Sequence, residues 1–327
     1  MKRQVLIIGG TRFVGPELIK KLIKNHDNVT VFSRGTNYHK TINEQVKRIY
    51  GNRDVDSDLK QLKGKKYDIV YDMCNYNLNQ VEKVLPYLQT QHYVFFSTAS
   101  VYKKPIMFPI KESDLTGEWD SFGEYGINKR QVEKRLEHDS KKGEFKLSII
   151  RPVYILGKDN YFDRENYYFS RILNNQLILV PGRGQALIQF CFLEDVAEAL
   201  FRIPIMQNKQ IEIVNLGGDQ NISVLGFVEL CGKIVGQTPR IIKLNTKKFD
   251  LDEEHFYDNL YPFPNVSLIL DNTKAKKVYR IIFTQLDKGL EIIYQKWKCT
   301  WKGETNKSDQ EKTIIETIGH NFNKWTI

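Results

Sequence analysis

Apolar and polar positions alternate in blocks along this chain, and the first block is the clearest. Val5-Leu6-Ile7-Ile8 is a short apolar run rich in β-branched residues, the pattern of a parallel strand buried on both faces. Gly9-Gly10 ends it, and Pro16 to Ile23 continues with Leu18, Ile19, Leu22 and Ile23 along one side of an amphipathic helix. Further strands are predicted at 29–32, 45–50, 67–72, 92–96 and 147–150, each bounded by polar or turn residues. Strands separated by helical stretches predict an α/β fold, a Rossmann-type doubly wound parallel sheet.

That rhythm breaks at 158–188 and 219–300. The break predicts a smaller C-terminal substrate-binding domain over the carboxyl ends of the strands, where open α/β sheets take their ligands. Residues 1–157 and about 189–218 are left to the larger, sheet-forming domain, where the turn between its first strand and helix is the expected dinucleotide-binding element. Segment 301–327 starts polar and then carries Ile314, Ile315, Ile318, Phe322 and Trp325. It reads as a C-terminal extension whose helix packs on the body or on a second copy in a homodimer.

Composition narrows the picture only a little. The chain has 327 residues with 41% hydrophobic and 12% aromatic content, enough for a full core and against wholesale disorder. Cys74, Cys191, Cys231 and Cys299 lie far apart without a CxxC pair, as expected of reduced thiols in a cytoplasmic protein. No apolar stretch approaches the ~20 residues of a membrane span, and the N-terminal run is too short for a signal-peptide core. The six histidines show no metal-ligand spacing, so no metal is predicted. Net charge is 49 − 39 = +10, which raises nucleic acid as a partner. The lysines are dispersed, however, and no zinc spacing or stacking motif accompanies them, which favours a solvated basic surface.

Candidate chemistry concentrates in Glu124-Tyr125-Gly126-Ile127-Asn128-Lys129. A tyrosine and a lysine four residues apart share one helix face. A phenol near its ordinary value of ~10 is a poor base at neutral pH. A neighbouring ammonium stabilises the phenolate and makes it competent to take a proton from a hydroxyl. The glycine turn between the first strand and helix supplies the second element, because backbone N–H groups and a helix N-terminus there can face a pyrophosphate.

With those residues in place, the chain resembles the extended short-chain dehydrogenase/reductase family, which includes the nucleotide-sugar epimerases. The motifs occur in the family's order: Gly9 and Gly15, then Ser97-Thr98-Ala99-Ser100-Val101-Tyr102, then Tyr125 and Lys129, then Arg151-Pro152-Val153-Tyr154-Ile155-Leu156-Gly157. Phe190 to Ala197 and Val214-Asn215-Leu216-Gly217-Gly218 match two later segments, so the resemblance spans roughly 4–295. It implies a nicotinamide cofactor held by Gly9, Thr11, Arg12, Phe13, Val14 and Gly15, by Ser33, Arg34, Asn52 and Arg53, and by Met73, Cys74 and Asn75. Lys129, Pro152, Val153 and Ile155 fall to the nicotinamide end. It also implies catalysis by Thr98, Tyr125 and Lys129: Thr98 binds the substrate oxygen, Tyr125 exchanges the proton, and Lys129 holds the ribose while lowering the tyrosine pKa.

The departures from the family pattern matter as much. Arg12 replaces the middle glycine, and Ser33-Arg34 stands where NAD users place an acid on the ribose. Two arginines there favour NADP over NAD through a 2′-phosphate. Ala99-Ser100 follow Thr98 in place of the Asp-Glu pair of sugar dehydratases, which disfavours dehydration and leaves epimerisation and ketone reduction open. Ile188 replaces the arginine that grips the diphosphate in nucleotide-sugar epimerases. Asp159, Arg164, Tyr168 and Arg171 have helix-like spacing and form the expected lining for a polar, sugar-derived substrate. A second reading stays open: the GGTRFVG turn also resembles chloroplast stem-loop-binding proteins, so a non-catalytic or RNA-binding member of the same fold is the alternative.

Overall fold

The computed structural model describes residues 2–36, 45–162, 164–245, 262–305 and 309–320. The chain begins β1 (Gln4–Ile8), α1 (Val14–Lys24), β2 (Asn28–Ser33) and β3 (Lys47–Tyr50). It continues with α2 (Asp56–Leu59), β4 (Lys66–Asp72), α3 (Leu78–Val84), β5 (Gln89–Phe96), α4 (Gly123–Lys141) and β6 (Lys146–Pro152). Then come β7 (Tyr154–Leu156), α5 (Glu165–Leu173), β8 (Leu177–Pro181), β9 (Leu187–Phe192), α6 (Leu193–Met206) and β10 (Ile211–Leu216). Next are β11 (Asn221–Ser223), α7 (Val224–Val235) and β12 (Arg240–Leu244). Three further helices follow, at Thr273–Lys277, Leu286–Lys298 and Asp309–His320.

The chain folds as two compact units. The first comprises 1–155, 191–217 and 270–283. Its sheet has seven strands in the order β10-β6-β5-β4-β1-β2-β3, all parallel. This is the Rossmann-type doubly wound sheet that the strand pattern predicts. The order reverses beside β1, which pairs β2 on one side and β4 on the other. Such a reversal opens a crevice at the carboxyl ends of the two strands. Leu6, Ile8, Val70, Phe95 and Ile149 from the sheet join Val132 and Leu136 from α4 in one buried cluster. On the helix face, α1 buries Leu18, Ile19 and Leu22 and packs against α6.

The same unit buries a polar triad away from the crevice. His92 Nε2 lies 2.8 Å from Ser148 Oγ and 3.1 Å from Gln207 Oε1. Burial lowers the imidazole from 6.5 to about 4, so the folded state holds it neutral. The unfolded chain protonates first as pH falls, so this contribution is complete above pH ~6.5 and is lost towards pH 4. Unfolding free energy from urea titration should fall by about 2–3 kcal/mol between pH 7.5 and 4.5 through this group. A His92→Gln chain should lose that part of the pH slope; an unchanged slope would show that His92 does not contribute it.

The second unit comprises 156–190, 218–269 and 284–327. Within it β8 pairs β12 in parallel, and β9 pairs β11 antiparallel. Its core is aromatic: the Tyr168, Phe190 and Phe263 rings surround Phe227 with centroids 4.6–5.8 Å from it. Asp309–His320 packs here through buried Ile314 and Ile318. Phe322 and Trp325 lie outside the described residues.

Candidate functional site

The turn after β1 is tightly wound, its glycines lying against the protein's own backbone and side chains. Gly9 and Gly10 have φ of +79° and +65°, values that L side chains rarely adopt. A Cβ on Gly15 would stand 2.1 Å from the Gly10 carbonyl oxygen, so only glycine fits. The Gly9 amide donates to Phe32 O at 2.9 Å, which ties the turn to β2. The N-terminus of α1 has no side-chain cap; its Gly15 amide donates to Arg12 O at 3.1 Å within the turn, and Pro16 carries no N–H. Phe13 sits at φ +50° immediately before that helix, a strained conformation for a bulky residue. Arg12 and Arg34 are exposed, and Thr11 and Ser33 half-buried beside them. The exit of β4 forms the floor, with Met73 N donating to Ile8 O at 3.1 Å. Cys74 Sγ lies where a Cβ on Gly9 would come within 2.6 Å of it.

Thr98 closes β5 and caps the short 3-10 turn Ala99–Val101, its Oγ1 accepting from Ser100 N at 3.2 Å. The next helix, α4, carries Tyr125 and Lys129 on one face. Tyr125 is 45% exposed while Lys129 is only 3% exposed. Lys129 Nζ donates to Phe96 O at 2.8 Å and lies 6.0 Å from the centre of the Tyr125 ring. Burial lowers the ammonium to about 8. The helix and the turn touch: a Cβ on Gly126 would be 2.2 Å from Ser100 O. The structure therefore brings Thr98, Tyr125 and Lys129 onto neighbouring, directly packed elements.

Beneath them lies a buried network centred on Glu133. Glu133 Oε1 accepts from Ser97 Oγ at 2.6 Å and from Arg151 Nε at 2.9 Å. Its Oε2 accepts from Arg151 Nη2 at 2.7 Å and Arg130 Nη1 at 3.1 Å. One carboxylate thus fastens the residue before Thr98, helix α4 and the strand leading to Pro152 and Val153. Val153 N in turn donates to Leu216 O at 3.0 Å, and Ile155 is buried nearby in the chain. Glu133 is four residues beyond Lys129, and that spacing was the one available signal.

Three of the residues expected at the cofactor, Asn52, Arg53 and Asn75, have partners within the protein. Arg53 forms a two-pronged pair with Asp72 at 2.7 and 3.0 Å. Asn75 Nδ2 donates to the same carboxylate at 3.0 Å, and Tyr93 OH at 2.7 Å. Burial pushes the Asp72 carboxyl up, but Arg53 outweighs it and holds the group below its ordinary value. Asn52 instead shapes its own loop: its amide donates to Asp58 Oδ2 at 2.8 Å and its Oδ1 accepts from Asp54 N at 3.2 Å.

The four expected substrate residues lie in the second unit and separate into two groups. Helix α5 starts only at Glu165, so Asp159, at φ +59°, and Arg164 belong to the preceding loop rather than to a helix face. The Arg164 guanidinium lies over the Phe162 ring at 4.9 Å and the Phe263 ring at 6.0 Å. Tyr168 is fully buried in the aromatic core. Arg171 is 1% exposed, stacks on Tyr167 at 3.5 Å and binds Glu311 at 3.2 and 2.6 Å. Both side chains are buried on α5, where the Tyr168 ring packs on Phe227 and Phe263 and the Arg171 charge is met by Glu311. Glu165 is a further buried group, accepting from Gly157 N at 3.0 Å and Asn160 Nδ2 at 3.2 Å. Burial raises its carboxyl to about 7.

A glycine turn at the reversal of a parallel sheet, with tyrosine and lysine on a packed helix, defines the class of dinucleotide-fold proteins. The chain belongs to the NAD dependent epimerase/dehydratase family, which it matches over residues 5–217. It is 28% identical over 295 residues to chloroplast stem-loop binding protein of 41 kDa b from Arabidopsis thaliana, covering 85% of this chain and 74% of that one. It is 23% identical to UDP-glucose 4-epimerase from Lactobacillus helveticus, over 71% of this chain and 82% of the relative. The fold matches that of UDP-glucuronic acid 4-epimerase from Bacillus cereus in complex with NAD, with a TM-score of 0.75 at 20% identity, covering 93% of this chain and 100% of that one. No helix among the described residues is long and apolar enough to cross a membrane.

Proposed function

We propose that the protein is an NAD(P)-dependent enzyme that interconverts an alcohol and a ketone on a sugar derivative, by epimerisation or reduction. The observation carrying this reading is the packed Thr98, Tyr125 and Lys129 set, in which Lys129 is buried and donates to Phe96 O at 2.8 Å. The glycine turn suits the cofactor's diphosphate, because it packs backbone tightly against the start of α1, where a Cβ at Gly15 would stand 2.1 Å from Gly10 O. Gly9 to Gly15, with Arg12, would hold that diphosphate, Ser33 and Arg34 the adenosine ribose, and Pro152, Val153 and Ile155 the nicotinamide. The bound nicotinamide supplies hydride acceptance and return.

The remaining steps belong to the chain's own side chains. Thr98 Oγ1 binds the substrate oxygen and stabilises charge developing there. Tyr125 Oη takes the hydroxyl proton and returns it. The Lys129 ammonium stabilises the phenolate that accepts this proton and that re-forms when the proton is returned. Ala99 and Ser100 offer no acid or base for water loss, which speaks against dehydration. In the second unit, Asp159, Arg164 and Tyr168 stay as the proposed substrate contacts, whereas Arg171 is committed to Glu311. The relatives act on UDP-sugars by their names, which supports a nucleotide-sugar substrate here.

Calorimetric titration with both dinucleotides, followed by turnover assays on UDP-glucose and UDP-glucuronate, tests the reading. NADP(H) should bind about tenfold more tightly than NAD(H), as charge-assisted pairing of a 2′-phosphate requires. Equal affinity, or tighter NAD(H), removes that preference. The stem-loop-binding relative supports a second reading, RNA binding. Charge without a stacking module should give only weak binding that falls steeply with salt. A specific RNA complex at physiological salt, with no turnover of any sugar, would reverse the order of the two.

A further inference from the structure

Lys129 stands over buried charge rather than over an apolar floor. The β4–β5 register pairs Asp72 with Phe95, and Lys129 Nζ lies 4.8 Å from the centre of the Phe95 ring. Tyr93, two residues earlier on the same face of β5, donates to Asp72 Oδ2 at 2.7 Å. The carboxylate and the ammonium therefore share one face of the sheet, at its carboxyl edge. Asp72 is fully buried and its two oxygens receive Arg53 Nη1, Arg53 Nη2, Tyr93 OH and Asn75 Nδ2. Arg53 Nη1 also reaches Cys74 Sγ at 3.5 Å, beneath the glycine turn.

We propose that the Asp72–Arg53 pair is a positioning device for Lys129: the buried carboxylate keeps the ammonium charged at the reacting phenol, and Arg53 limits that hold. The proposal rests on the role given to Lys129 above. A buried ammonium with no anion nearby sheds its proton, and one facing an unopposed carboxylate becomes locked in its charged form. Either extreme spoils a group that must support a phenol as it gains and loses its proton. The groups facing Lys129 are Asp72 and Cys74 from the β4 exit, Arg53 from the loop after β3, and Glu133 from the next turn of α4, backed by Arg151 of β6. The rings of Tyr76, Phe95 and Tyr125 complete its surroundings. Burial has the largest effect and lowers Lys129 to about 8; Asp72 opposes it most, then Cys74, while Arg53 reinforces it and Glu133 opposes it.

A role limited to holding the fold would make the two single substitutions act alike. An electrostatic role makes them act in opposite directions. The measurement is the pH titration of 13C-labelled lysine ε-methylene signals in the full chain, with Lys129 assigned by the signal lost in Lys129→Met. The wild-type midpoint should fall near 8. Asp72→Asn should lower it by about one pH unit or more, and Arg53→Gln should raise it. Shifts in the same direction, or no shift in either, overturn the proposal. If a single variant fails to fold, Asp72→Asn/Arg53→Gln carries the test, since it removes both charges and keeps hydrogen-bonding groups in place. Its midpoint should lie below the wild-type value, because the carboxylate's influence is the larger; an unchanged midpoint overturns the proposal. Normal turnover in Lys129→Met would instead remove the catalytic reading, while the titration shifts would still decide the electrostatics.

Discussion

Tyr125→Phe should lower turnover by about 10³-fold while leaving dinucleotide affinity within about twofold of the parent. The ring stays, so the face of α4 that carries it is unchanged. Only the exchangeable proton is lost. Lys129→Met should damage both properties, because the ammonium also faces the cofactor's ribose in the proposed complex and is buried beside Phe96 O. Single-turnover rates with an identified sugar substrate, set beside calorimetric dinucleotide binding, separate the two effects. Near-normal turnover in Tyr125→Phe would defeat the acid/base assignment outright.

Gly126→Ala should be nearly as harmful, although the residue touches no reactant. Its new Cβ would meet backbone, Ser100 O, at 2.2 Å, and a carbonyl in a capped turn cannot swing aside as a side chain can. Helix α4 must then lift from the 98–101 turn and take Tyr125 away from Thr98. A misplacement of roughly 1 Å costs about 10²-fold in rate. Overpacking should also cost about 1–3 kcal/mol of stability. Turnover measured well below the melting temperature distinguishes misalignment from unfolding; an unchanged rate would mean that the spacing of helix and turn does not matter.

The parts of the fold legible in the sequence were those specified locally. Val5 to Ile8, the glycines and the Leu18/Leu22 stripe declare strand, turn and helix within about twenty residues, because each element's periodicity is its own signal. Tyr125 and Lys129 were legible for the same reason, being one turn apart on one helix. Arg53 with Asp72, Arg151 with Glu133 and Arg171 with Glu311 were not. Each pair is joined only by the tertiary fold, and an isolated charge in a sequence looks the same whether it ends in solvent or in a core. Segment 270–283 was hidden for a related reason: its short helix reads as a continuation of the smaller domain, yet Lys274 and Tyr279 fasten it to Glu212 of β10.

The Arg171–Glu311 pair gives the final helix a role that its remote place in the sequence would not suggest. Its partners lie 140 residues apart in the chain, and both are 1% exposed. Glu311→Gln would leave a buried guanidinium without its carboxylate, an imbalance worth about 3–5 kcal/mol. The helix therefore acts as a plug for the second unit rather than as an appendage. Damage to it should be felt first in α5, the helix that carries Arg171.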